Sequence, residues 1–231
     1  MSKSPKISVL MSVFNAEKSI EKSINSILNQ SYENFELLIM DDKSTDNTGQ
    51  ILNSYSSFDE RIKIYENMEN IGLTKSLNIL INKAQGEYLA RQDSDDESDI
   101  RRFEKQINFI ESRNLLCCTT RSISIQNKKR KIPGFSFYIP QKISIKYKNP
   151  FIHGTLMINA SLLKDLGGYD EKFKYSQDYK LFLDLIKKGI TISTINEPLY
   201  FLNTIDNISV NNKNEQEYYF RCAKKGIIPR Y

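Results

Sequence analysis

The 231-residue sequence contains no tryptophan, a single histidine and only three cysteines. Cys117 and Cys118 are adjacent and poorly placed to pair, and Cys222 is distant, so we expect neither a disulfide framework nor a zinc site, and a reducing compartment. No apolar run approaches the roughly 18 residues of a membrane span. The basic N-terminus is followed by only one short apolar stretch, so we expect no signal peptide and a cytoplasmic location.

Acidic residues are missing from the whole interval between Glu111 and Asp165. The basic residues of the same interval are Arg113, Arg121, Lys128, Lys129, Arg130, Lys131, Lys142, Lys146, Lys148 and Lys164. Such a run is typical of a solvated loop, and it also fits a surface that meets anionic lipid or a phosphorylated substrate. Nucleic acid is not expected as a partner, because the run has no interleaved aromatic pattern and the rest of the chain is near neutral.

The composition of the whole chain, 39% hydrophobic and 26% charged, is that of a globular protein with a substantial core. The first half of the chain alternates strand and helix patterns. Short apolar runs predict strands at 6–14, 35–42, 61–66 and 87–91, and helical periodicity predicts helices at 16–30, 46–57, 73–84 and 100–112. This order predicts an α/β fold with a mainly parallel, doubly wound sheet, whose ligands bind beyond the carboxyl ends of the strands.

The second half has a weaker pattern. Strands are predicted at 115–125 and 154–159, with an edge strand at 197–203. Helices are predicted at 161–168, 177–189 and 214–226. The stretch 126–150 contains proline and lysine without periodicity, so we expect it to be irregular.

Two acidic groups each follow a predicted strand, one at Asp41 and Asp42, the other at Asp93, Asp95 and Asp96. The predicted fold brings both groups to one edge of the sheet, where such negative charge is unfavourable without a cation. Mg²⁺ and Mn²⁺ bind through one or two carboxylates plus substrate phosphates. The alternative is that these aspartates form turns and helix caps. The chain has no EF-hand loop, no P-loop and no Gly-x-Gly-x-x-Gly motif.

Three segments resemble the family 2 glycosyltransferases: VLMSVFNAEKSIEKSINSILNQSYENFELLIMDDKSTDNT, NIGLTKSLNILINKAQGEYLARQDSDD and HGTLMINASLLKDLGGYDEKFKYSQDYKLFLDLIKKG. The resemblance covers about residues 6–204 with the motifs in the family's order. It implies the GT-A fold, a Rossmann-like three-layer α/β/α arrangement with a mainly parallel mixed sheet. It also implies one domain over 1–231, with a nucleotide-sugar-binding half (1–112), an acceptor-binding half (113–204) and a helical tail (205–231).

The resemblance assigns the donor to the ends of the first two strands. Ser12, Phe14 and Asn15 would lie near the base and ribose. Asp42 would meet the uracil-type edge of the base, in preference to its neighbour Asp41. Lys75, on the helix after the glycine turn, would face the nucleotide. These residues imply a nucleotide-sugar donor, most simply a UDP-sugar.

The resemblance assigns the metal and the chemistry to later motifs. Asp95 would lie near the ribose and the metal, Asp96 would be the main ligand of Mn²⁺ or Mg²⁺, and Asp93 would support them. His153 would lie near the donor phosphates or the acceptor, although as a bare sequence feature it is as well explained by a structural role. Asp178 would be the catalytic base.

The proposed chemistry suits an aspartate at position 178. Inverting transfer needs one carboxylate to take the proton of the acceptor hydroxyl while that hydroxyl attacks C1, and it needs no covalent nucleophile. A carboxylate at a helix start is expected to have its pKa lowered by the helix dipole. Without the resemblance, Asp178 would be interpreted as a helix cap.

The chain departs from the family pattern at two places. The usual Pro-Asp-Arg step after the metal motif is Ile100-Arg101-Arg102 here, and Gly154 follows His153 where proline is usual. The Gln-x-x-Arg-Trp motif of processive synthases is absent, which argues against repeated chain extension.

The resemblance implies a hexosyltransferase that acts on a cell-surface glycan or a lipid-linked oligosaccharide, as in polysaccharide or lipopolysaccharide biosynthesis. The basic interval 113–164 would suit peripheral contact with the inner face of an anionic membrane. Two alternatives stay open: a sugar-nucleotide-binding module with a decayed site, and a Mg²⁺-dependent aspartate phosphotransferase or phosphatase.

Overall fold

The computed structural model describes residues 4–127, 130–205 and 212–230. The strands within these ranges are β1 (Ile7–Val13), β2 (Phe35–Asp41), β3 (Ile62–Glu66), β4 (Tyr88–Arg91), β5 (Glu97–Ser98), β6 (Cys117–Ser124), β7 (Lys131–Ile132), β8 (Met157–Asn159) and β9 (Ser193–Leu202). The helices are α1 (Ile20–Leu28), α2 (Thr48–Phe58), α3 (Leu73–Lys83), α4 (Arg102–Ser112), α5 (Gln141–Ser144), α6 (Ala160–Asp165), α7 (Gln177–Lys187) and α8 (Lys213–Lys225).

The described strands form one sheet in the order β3-β2-β1-β4-β8-β6-β9-β5, with β7 beside β6. Strands β3, β2, β1 and β4 are mutually parallel, as the sequence predicted. Strands β1, β2 and β4 are buried along almost their whole length, because helices cover both faces of the sheet. Val9 and Met11 pack on one side of the sheet and Leu10 on the other, which gives two core layers.

The second half of the sheet is mixed. Strand β8 lies antiparallel between β4 and β6, and β9 lies parallel to β6. The prediction that 197–203 is an edge strand is wrong, because β9 has β6 on one side and the short β5 on the other. Strand β8 also begins later than predicted, since His153–Thr155 forms a 3-10 turn.

The stretch predicted to be irregular, 126–150, holds only short elements: β7, a 3-10 turn at Phe135–Tyr138 and α5. Residues 128 and 129 lie outside the described ranges. The predicted C-terminal helix is confirmed as α8, which packs on α7 through stacked rings of Tyr179 and Phe220, with centroids 4.2 Å apart. Within the described ranges, no helix has both the length and the apolar character needed to cross a membrane.

Candidate active site

The candidate site lies where the parallel strands end. The chain leaves β1 towards β2 and β3, and β4 then pairs on the other side of β1. This reversal of strand order is the point at which ligands bind in open α/β sheets. Ser12 lies beside Met40 and Leu10 beside Arg91, so the segments after β1, β2 and β4 emerge next to one another.

The carboxylate of Asp42 is buried and accepts three hydrogen bonds from protein donors. Its Oδ1 accepts hydrogen bonds from Asn67 Nδ2 at 2.8 Å and from the Ile71 amide at 2.9 Å. Its Oδ2 accepts from the Gly72 amide at 2.8 Å. Gly72 has φ +87°, a left-handed conformation that favours glycine. Asp42 therefore holds the turn from which α3 begins.

The other residues predicted to bind the nucleotide-sugar lie at the end of β1, directly after it, or in α3. Phe14 is 49% exposed, and Ser12 is half-buried. The Oδ1 of Asn15 accepts from the Thr45 amide at 2.7 Å, which ties the segment after β1 to the one after β2. Lys75 is exposed in the first turn of α3. Asp41, the partner of Asp42 in the sequence motif, accepts from the Ser44 amide at 2.9 Å.

The second acidic group, after β4, has far fewer donors. Asp96 is 2% exposed, and its Oδ1 accepts from the Asn203 amide at 2.6 Å. Asp95 is half-buried, and Asn203 Nδ2 lies 3.4 Å from its Oδ2. Burial, and next the charge of Asp93, raise the pKa of Asp95 to about 6. Burial and the charges of Asp93 and Asp95 raise the pKa of Asp96 well above its usual range.

A buried guanidinium lies beneath this group. Arg91 forms an ion pair with Asp93 and donates to the carbonyls of Leu10 at 2.7 Å and Gln92 at 2.6 Å. Arg102, fully buried, donates to the Arg91 carbonyl at 2.9 Å, and burial lowers its pKa to about 10. Among the described residues, only Arg91 forms an ion pair with this acidic group, so negative charge remains in excess.

The carboxylates of Asp95 and Asp96 would suit a divalent cation that is also coordinated by a bound substrate. In the described part of the chain, no three His, Cys, Asp or Glu side chains are arranged to hold a metal by themselves. Mg²⁺ and Mn²⁺ need only one or two protein carboxylates when a diphosphate supplies further oxygens. Burial and repulsion between carboxylates raise the pKa values of Asp95 and Asp96, and a bound cation would offset both effects.

Asp178 lies in the first turn of α7. Its Oδ2 accepts from Asn149 Nδ2 at 2.7 Å. Ser176, just before the helix, has φ 52° and donates from Oγ to the Gln216 carbonyl at 2.9 Å, so α8 fixes the start of α7. Burial, and to a smaller extent the charge of Asp93, raise the pKa of Asp178. The expectation that the helix dipole lowers this pKa is therefore wrong, because desolvation outweighs it.

His153 lies beside Tyr169, with Nε2 2.7 Å from the tyrosine hydroxyl. Burial lowers the pKa of His153 to about 3, so the imidazole is neutral at physiological pH. Burial raises the pKa of Tyr169, and the charges of Asp178 and Asp93 act in the same direction. The charges of Asp178 and Asp93 thus both act on Tyr169, and that of Asp93 also acts on His153.

One of the two departures from the family pattern, Gly154, has a structural explanation, whereas nothing in the structure explains Ile100 and Arg101. A Cβ at Gly154 would overlap the Tyr200 hydroxyl and approach the Asp93 carboxylate, so a larger residue would displace the site. Ile100 is exposed, and its carbonyl accepts from the Ser31 amide at 2.8 Å. Gln30 Nε2 donates to the neighbouring Asp99 carbonyl at 2.7 Å, so contacts from the segment after α1 hold this loop.

Several contributors were not identified from the sequence. Arg91 had a usable signal, since a charged residue ends an otherwise apolar buried strand. Asn149, Tyr200 and Asn203 had none, because each acts on a residue that is distant along the chain.

Comparison with known proteins identifies the family. The model of Glycosyl transferase family 2 matches residues 8–167. EpsE of Bacillus subtilis (strain 168) is 36% identical over 208 residues, which cover 87% of this chain and 73% of EpsE. The UDP-Glc:alpha-D-GlcNAc-diphosphoundecaprenol beta-1,3-glucosyltransferase WfgD of Escherichia coli is 34% identical, over 82% of this chain and 73% of WfgD.

Solved structures share the fold. Residues 1–349 of S. aureus TarS in complex with UDP-GlcNAc match with a TM-score of 0.76 at 24% identity, over 90% of this chain and 61% of that one. The mannosyltransferase PcManGT of Pyrobaculum calidifontis, in complex with GDP-Man and Mn²⁺, matches with a TM-score of 0.76 at 17% identity, over 100% of this chain and 66% of that one. The chain therefore belongs to glycosyltransferase family 2 and has the GT-A fold expected from its sequence.

Proposed function

We propose that the protein is an inverting, metal-dependent glycosyltransferase that moves one hexose from a UDP-sugar to a hydroxyl of a lipid-linked or cell-surface glycan. The observation that carries the proposal is the electrostatic grouping of Asp178 with the acidic group after β4. The charge of Asp93 raises the pKa of Asp95, Asp96 and Asp178. The candidate proton acceptor and the candidate cation ligands are thus all influenced by the charge of one carboxylate.

In this proposal Asp178 takes the proton of the acceptor hydroxyl. Its raised pKa makes it a stronger base than an exposed carboxylate. Asn149 holds one oxygen of this carboxylate in place. Neutral His153 and Tyr169 add no competing positive charge, so they suit a positioning role towards the sugar or the acceptor.

The donor would lie across the ends of β1, β2 and β4. Phe14 offers an exposed ring for the base, Ser12 and Asn15 lie beside it, and Lys75 lies on α3. We propose that Asp42 acts mainly by holding the turn before α3, with its remaining lone pair available to the uracil edge.

We propose that Asp95 is the principal protein ligand of Mn²⁺ or Mg²⁺, because it is the more exposed of the pair, whereas Asp96 is occupied by the Asn203 amide. This reverses the order expected from the sequence. A bound cation would neutralise the diphosphate as the leaving group departs.

The acceptor is proposed from the relatives. WfgD is named for transfer to a diphosphoundecaprenol-linked sugar, and the E. coli relative WbnJ, 32% identical over 96% of this chain, for O-antigen biosynthesis. A location at the inner membrane face, without a membrane span, would bring the site to such a substrate.

A donor screen tests the proposal: release of nucleoside diphosphate from UDP- and GDP-sugars, with Mn²⁺, with Mg²⁺ and with a chelator. We expect turnover of a UDP-sugar that the chelator abolishes. UDP binding with no turnover of any donor would favour a decayed binding module. A stable acyl-phosphate after incubation with a phosphodonor would favour the phosphotransferase alternative.

A further inference from the structure

We infer that two segments outside the candidate active site, 142–148 and 224–228, form one amphipathic surface that docks on an anionic lipid bilayer. The inference deepens the proposed function, on which it rests for the lipid-linked acceptor. It also replaces the broad basic interval 113–164 by a defined face. Arg121, for example, belongs to that interval but is buried and donates to Asn196 Oδ1 and the Pro133 carbonyl.

The segment 142–148 presents apolar side chains between lysines. Ile143 is 50% exposed and Tyr147 is 75% exposed, while Lys142, Lys146 and Lys148 are exposed around them. The segment is nevertheless firmly held. Ile145 is buried in the core, and its carbonyl accepts from the Tyr179 hydroxyl at 2.7 Å. The exposed side chains are therefore presented to solvent by an anchored backbone.

The segment 224–228 has the same character. Lys224 and Lys225 end α8, Gly226 turns the chain with φ 69°, and Ile227 and Ile228 are more than half exposed. The chain then folds back, because the Arg230 amide donates to the Tyr218 hydroxyl at 2.9 Å.

The two segments are neighbours in space. Lys224 Nζ lies 5.9 Å from the centroid of the Tyr147 ring, a contact that joins the C-terminal end of α8 to the turn after α5. Tyr179, which holds Ile145, also stacks on Phe220 of α8. Their exposed aliphatic and aromatic side chains therefore belong to one continuous surface.

The positive charge of this surface favours an anionic partner. No Asp or Glu occurs between Glu111 and Asp165, and none follows Glu217. Lysines around exposed apolar side chains match the two components of an anionic bilayer, since the lysines meet the headgroups and the apolar groups enter the interface. A surface for nucleic acid would not need the exposed isoleucines.

The position of the surface relative to the candidate base supports a lipid-linked acceptor. Lys148 is followed directly by Asn149, whose side chain donates to Asp178 at 2.7 Å. Docking through 142–148 would thus hold Asp178 near the bilayer, where the first sugars of a lipid-linked acceptor lie. The nucleotide side of the site, at the ends of β1 and β2, belongs to the other half of the sheet.

Flotation of the full chain with two vesicle types tests the inference: phosphatidylcholine alone, and phosphatidylcholine with phosphatidylglycerol. We expect binding to the anionic vesicles that falls as salt increases. The double variant Lys142→Glu/Lys146→Glu should weaken this binding about tenfold or more, at about 1 kcal/mol per lysine. The matched control is Lys18→Glu/Lys22→Glu, an exposed pair with the same spacing and the same change in charge.

A second pair of variants tests the apolar component. Tyr147→Ser should weaken binding several-fold, whereas Phe58→Ser, at a residue 90% exposed on α2, should not. Equal binding to both vesicle types, or equal losses in both lysine pairs, would overturn the inference. Self-association that Tyr147→Ser abolishes, without vesicle binding, would make the surface an interface between copies and would also overturn it.

Donor turnover, measured without vesicles, keeps this inference separate from the proposed function. Turnover without vesicle binding would refute the docking surface alone. Vesicle binding by a chain that turns over no donor would refute the proposed function and leave the surface standing.

Discussion

The carboxylates of the site fall into two regions that differ in their electrostatic state. On the proposed nucleotide side, after β2, Asp42 accepts hydrogen bonds from two backbone amides and the Asn67 side chain. On the transfer side, after β4 and at the start of α7, Asp95, Asp96 and Asp178 all have raised pKa values. The same residue type therefore holds a turn in one region and forms a group of carboxylates with raised pKa values in the other.

The difference shows that two groups with similar numbers of acidic residues can differ in burial and in hydrogen-bond donors. The sequence offers two similar motifs at equivalent strand ends. What separates them is the supply of N–H donors, which depends on how the following segment folds back. After β2, the 67–72 segment supplies those donors. After β4, Arg91 is the one ion-pair partner within the described part of the chain, and the Asn203 amide, just after β9, donates to Asp96.

The largest expected effect comes from Asp178→Asn. The substitution keeps the shape of the side chain but removes the proton acceptor, so kcat should fall by roughly 10²–10⁴ while UDP binding is unchanged. Steady-state kinetics and calorimetry measure the two quantities. Asp184→Asn, on the same helix in an ion pair with Lys180, is the control and should retain activity. Unchanged kcat in Asp178→Asn would remove the base from the mechanism.

Asp42→Asn should act on stability. An amide in place of the carboxylate turns an N–H₂ group towards backbone N–H donors, so the free energy of unfolding should fall by about 1–3 kcal/mol. Denaturant titration checks this, with the exposed Asp165→Asn as the control. A stable variant that loses UDP binding would show that Asp42 acts on the base and not on the turn.

Phe14→Ala should weaken UDP binding about fivefold, from the loss of roughly 1 kcal/mol of stacking on the base. Because the ring is half exposed, the free energy of unfolding should change little. Phe58→Ala, at the end of α2, removes a ring that is more exposed than Phe14 and should leave UDP binding unchanged. Equal UDP affinity in both variants would place the base elsewhere.

The shift in the pH dependence of kcat should be the smallest of these effects. Asp178 must be deprotonated to act, and its folded-state pKa lies above the usual 3.8, so activity is lost as pH falls through that raised value. The acid limb of kcat should lie at higher pH than an exposed carboxyl would give. His153, with its pKa lowered to about 3, does not titrate there, so His153→Gln should leave the limb in place. If the acid limb shifts in His153→Gln, the limb reports the titration of His153 and not that of Asp178.

The fold was largely predictable because its signals are local. Buried parallel strands such as β1 and β2 are continuous apolar runs, and helices such as α7 have clear periodicity. The position of β9 was not predictable, because β5, its second neighbour, is only two residues long. The reason for Gly154 also lies in a contact across the fold, with Tyr200.

The candidate site was predictable in composition but not in electrostatics. The aspartates after β2 and β4, and the aspartate at the start of α7, could be placed on these elements from motifs. The direction of the pKa shift of Asp178 could not, because a helix start is visible in sequence whereas burial is not. Asn149 and Asn203 likewise act over long sequence separations, and such contacts leave no local pattern.

The most direct test of the central claim is Mn²⁺ binding, measured by electron paramagnetic resonance with and without UDP. The account predicts that UDP strengthens Mn²⁺ binding in the wild type, that Asp95→Asn abolishes this effect, and that Asp42→Asn retains it. Retention of UDP-dependent Mn²⁺ binding in Asp95→Asn, or its loss in Asp42→Asn alone, would contradict the division of the site into these two regions.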